Sequence, residues 1–239
     1  MNKENRIPPG YKYATCLCPD GQKRDFIVPD TFNEASPVLE QGSIKGICGY
    51  ADERDAWELL FSISCALSSL SREGMAHACI STDCVYLWNN NMMLLEGGDL
   101  VCKEGEEWNS RKTDVAFISP QQVKLGHVTI QDDIWSLGAT VFHLLMGVKI
   151  FNGQGGKVQH TSTPIPSFNE SRYSSKLCRL IRECLSYNPE SRPSLEQVIT
   201  ISEDGLMKSR AKVGEKRTKG RRDEVSLDGI TYWPEKIDA

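Results

Sequence analysis

Residues Ile134 to Leu145, within the stretch "DDIWSLGATVFHLLMG", are almost uniformly apolar. The run shows neither the alternation of a half-buried strand nor the one-sided stripe of a surface helix. It predicts a helix buried on all sides, and such a helix must be surrounded by other elements. A chain of 239 residues can supply them within one good-sized domain. The apolar fraction of 39% and the charged fraction of 25% are ordinary globular values. A net charge of −4 draws the chain as a whole to neither nucleic acid nor anionic membrane.

The surrounding elements are legible in outline. Residues 1–10 are expected to be a flexible N-terminus. Tyr11–Cys18 and Arg24–Val28 are β-prone and flank "PDGQ", so residues 11–30 read as an antiparallel hairpin. Thr31 to Tyr50 is rich in Gly, Ser and Pro and reads as a loop. In "DERDAWELLFSISCALSSLSREG", Trp57, Leu60, Phe61, Ile63, Ala66, Leu67 and Leu70 have helical spacing, with Asp52 or Asp55 near the start and Gly74 as the stop. "CVYLW" and "MMLLE" are two short strands around the turn sequence "NNN". "SSKLCRLIRECLSYNPESRPSLEQVIT" reads as helix, turn, helix, the second capped by Ser191 or Ser194 with Pro193 in its first turn. Residues 207–239 are expected to be a basic disordered tail ending in an aromatic segment.

The nine cysteines lack regular spacing, and Cys65, Cys178 and Cys184 lie in helix-like apolar runs. They read as buried, reduced thiols. With no apolar segment at the N-terminus and no run of membrane-spanning length, a soluble cytoplasmic chain is expected.

Four stretches carry a family resemblance. "DDIWSLGATVFHLLMG" resembles the central helix of eukaryotic-type protein kinases, D-V-W-S-x-G and an apolar run. "CLSYNPESRPSLEQVI" resembles their closing motif. "FISPQQV" sits where kinases carry A-P-E, and "GMAHACISTDCVYL" where they carry H-R-D-L-K-x-x-N-I-L. The order and spacing of all four match. The hairpin looks like the strand pair that leads into the hinge of a kinase N-lobe. The resemblance covers residues 11–206 and implies an α+β, kinase-like fold: a mostly helical C-lobe (51–206) preceded by a residual N-lobe hairpin (11–30). It also implies that the glycine-rich strands, the lysine strand and the regulatory helix have no counterpart before Tyr11.

The resemblance assigns site positions residue by residue. His77 matches the loop histidine, Cys79 the catalytic aspartate, Ser81 the phosphate-contacting lysine, and Cys84 the metal-binding asparagine. "MLLEGGDLV" places Glu96 at the metal-binding aspartate, with Asp99 as its counterpart in a shifted alignment. A thiol of pKa near 8.5 is mostly neutral at pH 7 and substitutes poorly for a carboxylate. Lys45 in "GSIKG" lies too close to His77 to be the strand lysine and reads as an exposed loop residue. The expectation is therefore a pseudokinase and no enzyme, with no cofactor, no metal ligand and no nucleotide site. By contrast, Asp133, Trp135 and Gly138 match structural core positions. Arg192 matches the arginine that pairs with the A-P-E glutamate, replaced here by Gln121.

A zinc site built from His77, Cys79 and Cys84 with Cys16 or Cys18 is the disfavoured reading. The favoured role is a protein-interaction or regulatory scaffold, with an active kinase, a phosphatase or another signalling protein as partner. Alternatives are a divergent kinase completed by another chain and a nucleic-acid-associated factor using the basic tail; neither nucleic acid nor membrane is the expected partner. The hairpin should present a free strand edge and an apolar face, to be covered by residues 31–50 or by another chain. Tyr232 and Trp233, beyond the basic linker, are the candidate docking residues.

Overall fold

A computed structural model describes residues 11–32, 39, 42–88, 92–97, 100–107, 114–168 and 171–219, without the side chains of 92–94 and 210–219. The architecture is α+β and kinase-like, as the four matched stretches imply. Strands β1 (Tyr11–Leu17) and β2 (Lys23–Pro29) form the hairpin. Helix α1 (Glu53–Arg72) follows, then β3 (Met75–Ala76), β4 (Val85–Trp88), β5 (Met92–Glu96) and β6 (Cys102–Lys103). The helices α2 (Pro120–Leu125), α3 (Ile130–Met146), α4 (Ser175–Cys184) and α5 (Leu195–Lys219) complete the order.

Helix α3 is the centre of the molecule. Every residue from Asp132 to Leu145 is buried, in keeping with its uniform apolarity. Helix α1 packs beside it through Trp57, Leu60, Ile63, Leu67 and Leu70. Its start is set by Asp52, whose carboxylate accepts from the amides of Arg54 (2.8 Å) and Asp55 (3.1 Å), while the Asp55 carboxylate returns a bond to the Asp52 amide. For α5 the cap is Ser194: its Oγ accepts from the Gln197 amide at 3.2 Å, and Gln197 Oε1 accepts from the Ser194 amide at 2.8 Å. Pro193 therefore stands just before the cap rather than within the first turn. Helix α5 continues to Lys219, past the 206/207 boundary of the expected tail. Residues 1–10 and Tyr232 and Trp233 lie outside the described residues.

The hairpin is not a separate remnant. Strand β2 pairs with β5 (Phe26 opposite Glu96, Ile27 opposite Leu95), giving an antiparallel sheet in the order β1-β2-β5-β4. One sheet face carries Ala14, Cys16, Phe26, Val28 and Tyr86, which cluster with Cys18, Phe32 and Leu39. The Leu39 amide donates to Leu17 O at 2.9 Å, so part of the 31–50 segment folds back over the hairpin. From the other face Ile27 enters the main core. Of the two covers expected for the hairpin, the 31–50 segment thus supplies part through Phe32 and Leu39, and β5 pairs with one strand edge, β1 remaining the outer strand. No disulfide joins any of the nine cysteines. Among the described residues, no helix is long and apolar enough to cross a membrane.

Helix α5 crosses α1 where Gly205 meets Trp57. A Cβ on Gly205 would lie 2.4 Å from Trp57 Cδ2, inside a ring that is itself buried. Gly205→Ala is expected to lower stability by about 1–3 kcal/mol despite alanine's better helix propensity. Chemical denaturation measures this; an unchanged or raised midpoint would show that the crossing can relax.

Candidate functional site

The loop from His77 to Cys84 is held from below by one carboxylate. Asp133, near the start of α3, accepts from the His77 amide (Oδ2, 2.7 Å) and the Ala78 amide (Oδ1, 2.9 Å). Ala78 has φ 67°, a left-handed conformation that costs a non-glycine residue about 1–3 kcal/mol. Both of its backbone groups are held, for Gln122 Nε2 donates to Ala78 O at 3.1 Å. Burial pushes the Asp133 carboxyl up to about 7, against the downward pull of the two amides.

The His77 ring is fully buried, and Nε2 lies 2.5 Å from Glu96 O. A carbonyl only accepts, so Nε2 carries the proton; Nδ1 accepts from the Cys79 amide at 3.4 Å. Burial drives this imidazole down to about 4, so the ring is neutral and ties the loop to β5.

Cys79 does not stand in the open as a base would. Its side chain is buried beside Ala76, Ala78 and Val128. Cys84 is a plug within the loop: Sγ donates toward Cys79 O and Ser81 O, both at 3.3 Å, and accepts from the Ser81 amide at 3.2 Å. Burial pushes this thiol up to about 12, which keeps it neutral. Ser81 is buried, and its Oγ accepts from the Asp83 amide at 3.3 Å. Lys45 pairs with Asp83 at 2.8 Å on the loop's exposed rim.

Glu96, which the resemblance aligns with the family's metal-binding aspartate, ends β5. Its amide donates to Cys84 O at 2.8 Å, and burial raises its carboxyl, opposed by Arg24. Arg24 Nε lies 3.8 Å from Glu96 Oε1. Asp99 lies outside the described residues. Among the described residues around the turn, the Cys84 sulfur is engaged by backbone and Glu96 faces the Arg24 guanidinium, so these residues alone supply no second oxygen ligand for a magnesium–nucleotide site. Cys16 and Cys18 lie in the hairpin's apolar cluster, apart from His77, and the described residues contain no group of three metal-ligating side chains.

Arg192 ties the lobe's far side. It donates to Gln121 Oε1, to Gln131 O (2.7 Å) and to Ser186 O (2.9 Å), while Gln121 Nε2 donates to Tyr187 O at 2.7 Å. The nearest anion is Asp132, 3.8 Å from Nη1. Burial lowers the Arg192 guanidinium to about 10, with Asp132 resisting. Trp135 Nε1 donates to Gln159 Oε1 at 2.9 Å, and Gly138 lets α4 approach, since a Cβ there would lie 2.8 Å from Cys184 Cβ. Arg24, Gln122 and Asp132 were not anticipated. Asp132 had a readable signal, for "TIQD" has capping-box spacing and Asp132 Oδ2 accepts from the Thr129 amide at 2.9 Å.

The protein kinase domain family matches residues 39–202, well over half of the chain. The chain belongs to the protein kinase family. Among similar proteins are the serine/threonine-protein kinase Nek9 of Mus musculus, 25% identical over 166 residues that cover 64% of this chain and 16% of that protein. The serine/threonine-protein kinase ppk16 of Schizosaccharomyces pombe is 28% identical over 157 residues, covering 62% of this chain and 23% of that protein. The Aurora kinase of the same yeast is 27% identical over 154 residues, covering 62% and 42% respectively. The chain thus spans less than half the length of these relatives. These findings correct the expectation that the chain is no enzyme: its family is one of enzymes, and the relatives are named kinases. That expectation weighed Cys79, Ser81 and Cys84 together with the missing counterpart of the lysine strand, whereas the match spans residues 39–202.

Two measurements check this wiring. Asp133→Ala strands two buried amides, each costing about 1–3 kcal/mol. Its thermal midpoint should fall by several degrees, and an unchanged midpoint would contradict the assigned role. For His77, a folded pKa below the unfolded value means stability is complete above pH 6.5 and lost as pH falls toward 4. The full shift is equivalent to about 3 kcal/mol. Asp133, shifted the other way, gains stability over the same range, so the comparison must be with His77→Gln. The wild-type advantage over that variant should shrink by about 2 kcal/mol between pH 7 and 4.5; a constant difference would contradict a buried neutral ring.

Proposed function

We propose that this protein-kinase-family chain works by holding another protein, acting as a regulatory partner in serine/threonine phosphorylation. The observation that carries this reading is how the lower lobe uses its polar groups. The amides of His77 and Ala78, the His77 ring and the Cys84 sulfur are engaged within the loop, by Asp133 or by β5. Such a lobe offers a rigid recognition surface. Tyr50 (65% exposed) and Val148 (59%) stand on it, flanking the close contact of Gly49 with Gly147. The Tyr232–Trp233 segment is a second proposed contact.

A second reading is a divergent serine/threonine kinase whose phosphate-holding elements come from another chain. It is supported by the Glu96 carboxylate at the metal turn and by the names of the relatives.

Quantitative capture from the native host's lysate tests the first reading, using the full chain, Tyr50→Ala with Val148→Ser, and Tyr232→Ala with Trp233→Ala. Recovery of a kinase, phosphatase or kinase substrate, reduced at least several-fold by one pair of substitutions, is expected. Equal recovery in all three proteins would overturn it. Phosphate transfer from ATP by the captured complex, lost in Glu96→Gln, would establish the second reading instead.

A further inference from the structure

Three consecutive residues beyond α3 hold left-handed backbone. Phe151 (φ 49°, ψ 45°), Asn152 (φ 53°, ψ 34°) and Gly153 (φ 80°) lie in the tight turn between Lys149 and Lys157. Asparagine and glycine tolerate that region, whereas a bulky aromatic residue rarely adopts it. The surroundings must therefore hold Phe151 there. They do so through residues 114–120. The Gly156 amide donates to Ile118 O at 2.8 Å. Gly155 and Gly156 are buried so close to that backbone that a Cβ on either would run into it, at Val115 O and at the Pro120 nitrogen.

The other end of the segment is held by charge. Lys149 Nζ donates to Asp114 Oδ2 at 2.5 Å and lies 5.9 Å from the centre of the Phe117 ring. Asp114 in turn caps the short helical turn Val115–Phe117, its Oδ1 accepting from the Ala116 amide at 3.0 Å. The 149–157 turn thus grips residues 114–119 at both ends, with Lys149 at one and Gly156 at the other.

We propose that residues 149–157 are a strained latch over residues 114–119, held shut by its contacts with that segment, and that the two segments open together. Ala116, Phe117 and Ile118 are buried in the closed form, and opening bares them. The Lys149 and Asp114 side chains are 36% and 34% exposed, so the latch is fastened where another molecule can reach it. Val148, which immediately precedes the latch, belongs to the recognition surface proposed above. That a partner seated there biases the latch rests on that reading; the latch itself does not.

Native-state hydrogen exchange on the full chain, with no partner present, tests the latch separately from partner capture. In the wild-type protein the Gly156, Phe117 and Ile118 amides should exchange through one shared opening. That opening should be lower in free energy and less dependent on denaturant than the one that frees the Trp135 amide. Gly153→Ala adds backbone strain alone, since nothing lies within 4 Å of a Cβ there. Lys149→Met removes the surface pair while keeping the stem, and Asp114→Asn removes it while keeping the cap. Each variant should speed exchange at all three amides by the same factor, several-fold. Faster exchange at Gly156 with Phe117 and Ile118 unchanged would overturn the proposal. So would three separate openings in the wild-type protein, an opening shared with Trp135, or unchanged rates in all three variants.

Discussion

Two hydrogen bonds from the His77 and Ala78 amides to the buried Asp133 carboxylate hold the site in place. An isolated carboxylate in that interior would be costly, and a left-handed Ala78 would be strained. Each offsets the other, because the strained backbone turns two adjacent amides toward one acceptor. From there the order passes outward. The His77 ring, fixed by its own backbone, donates to the Glu96 carbonyl. Glu96 ends the strand that pairs with β2, and the hairpin is thereby joined to the loop through β5.

The second anchor shows how a substitution at a buried polar position can be absorbed. Arg192 has a neutral amide, Gln121, where the family resemblance implies a carboxylate. A neutral acceptor makes a weaker bond to a guanidinium. Carbonyls from Gln131 and Ser186 supply further acceptors, and Asp132 supplies negative charge at 3.8 Å. Asp132 is itself held by Ser119 and Thr129, so the anion is fixed at the helix start. Breaking a buried charge arrangement is expensive while rearranging it need not be, provided every donor keeps a partner.

Local features were legible in the sequence, and long-range pairings were not. The buried helix followed from apolarity alone, α1 from periodicity and an acidic cap, and β4 and β5 from two apolar runs about a turn sequence. Strand β2 joining β5 could not be read, because periodicity reports which face is buried and not which distant strand lies alongside. Nor could Arg24's approach to Glu96, which depends on that pairing. At the loop, chemistry read from residue types identified Cys84 as neutral. It missed that the Cys84 sulfur accepts from the Ser81 amide, since weak acceptors leave no sequence pattern. The reading of no enzyme failed for a related reason: it treated three loop positions and the absent lysine strand as decisive for a relationship spread over residues 39–202.

The central claim is that the loop shares the stability of the core through Asp133. Native-state hydrogen exchange at the His77 and Ala78 amides tests it without altering a residue. Both amides should exchange only through global unfolding, with the same opening free energy and denaturant dependence as the Trp135 amide in α3. Exchange through local openings near zero free energy, while Trp135 stays protected, would contradict the account.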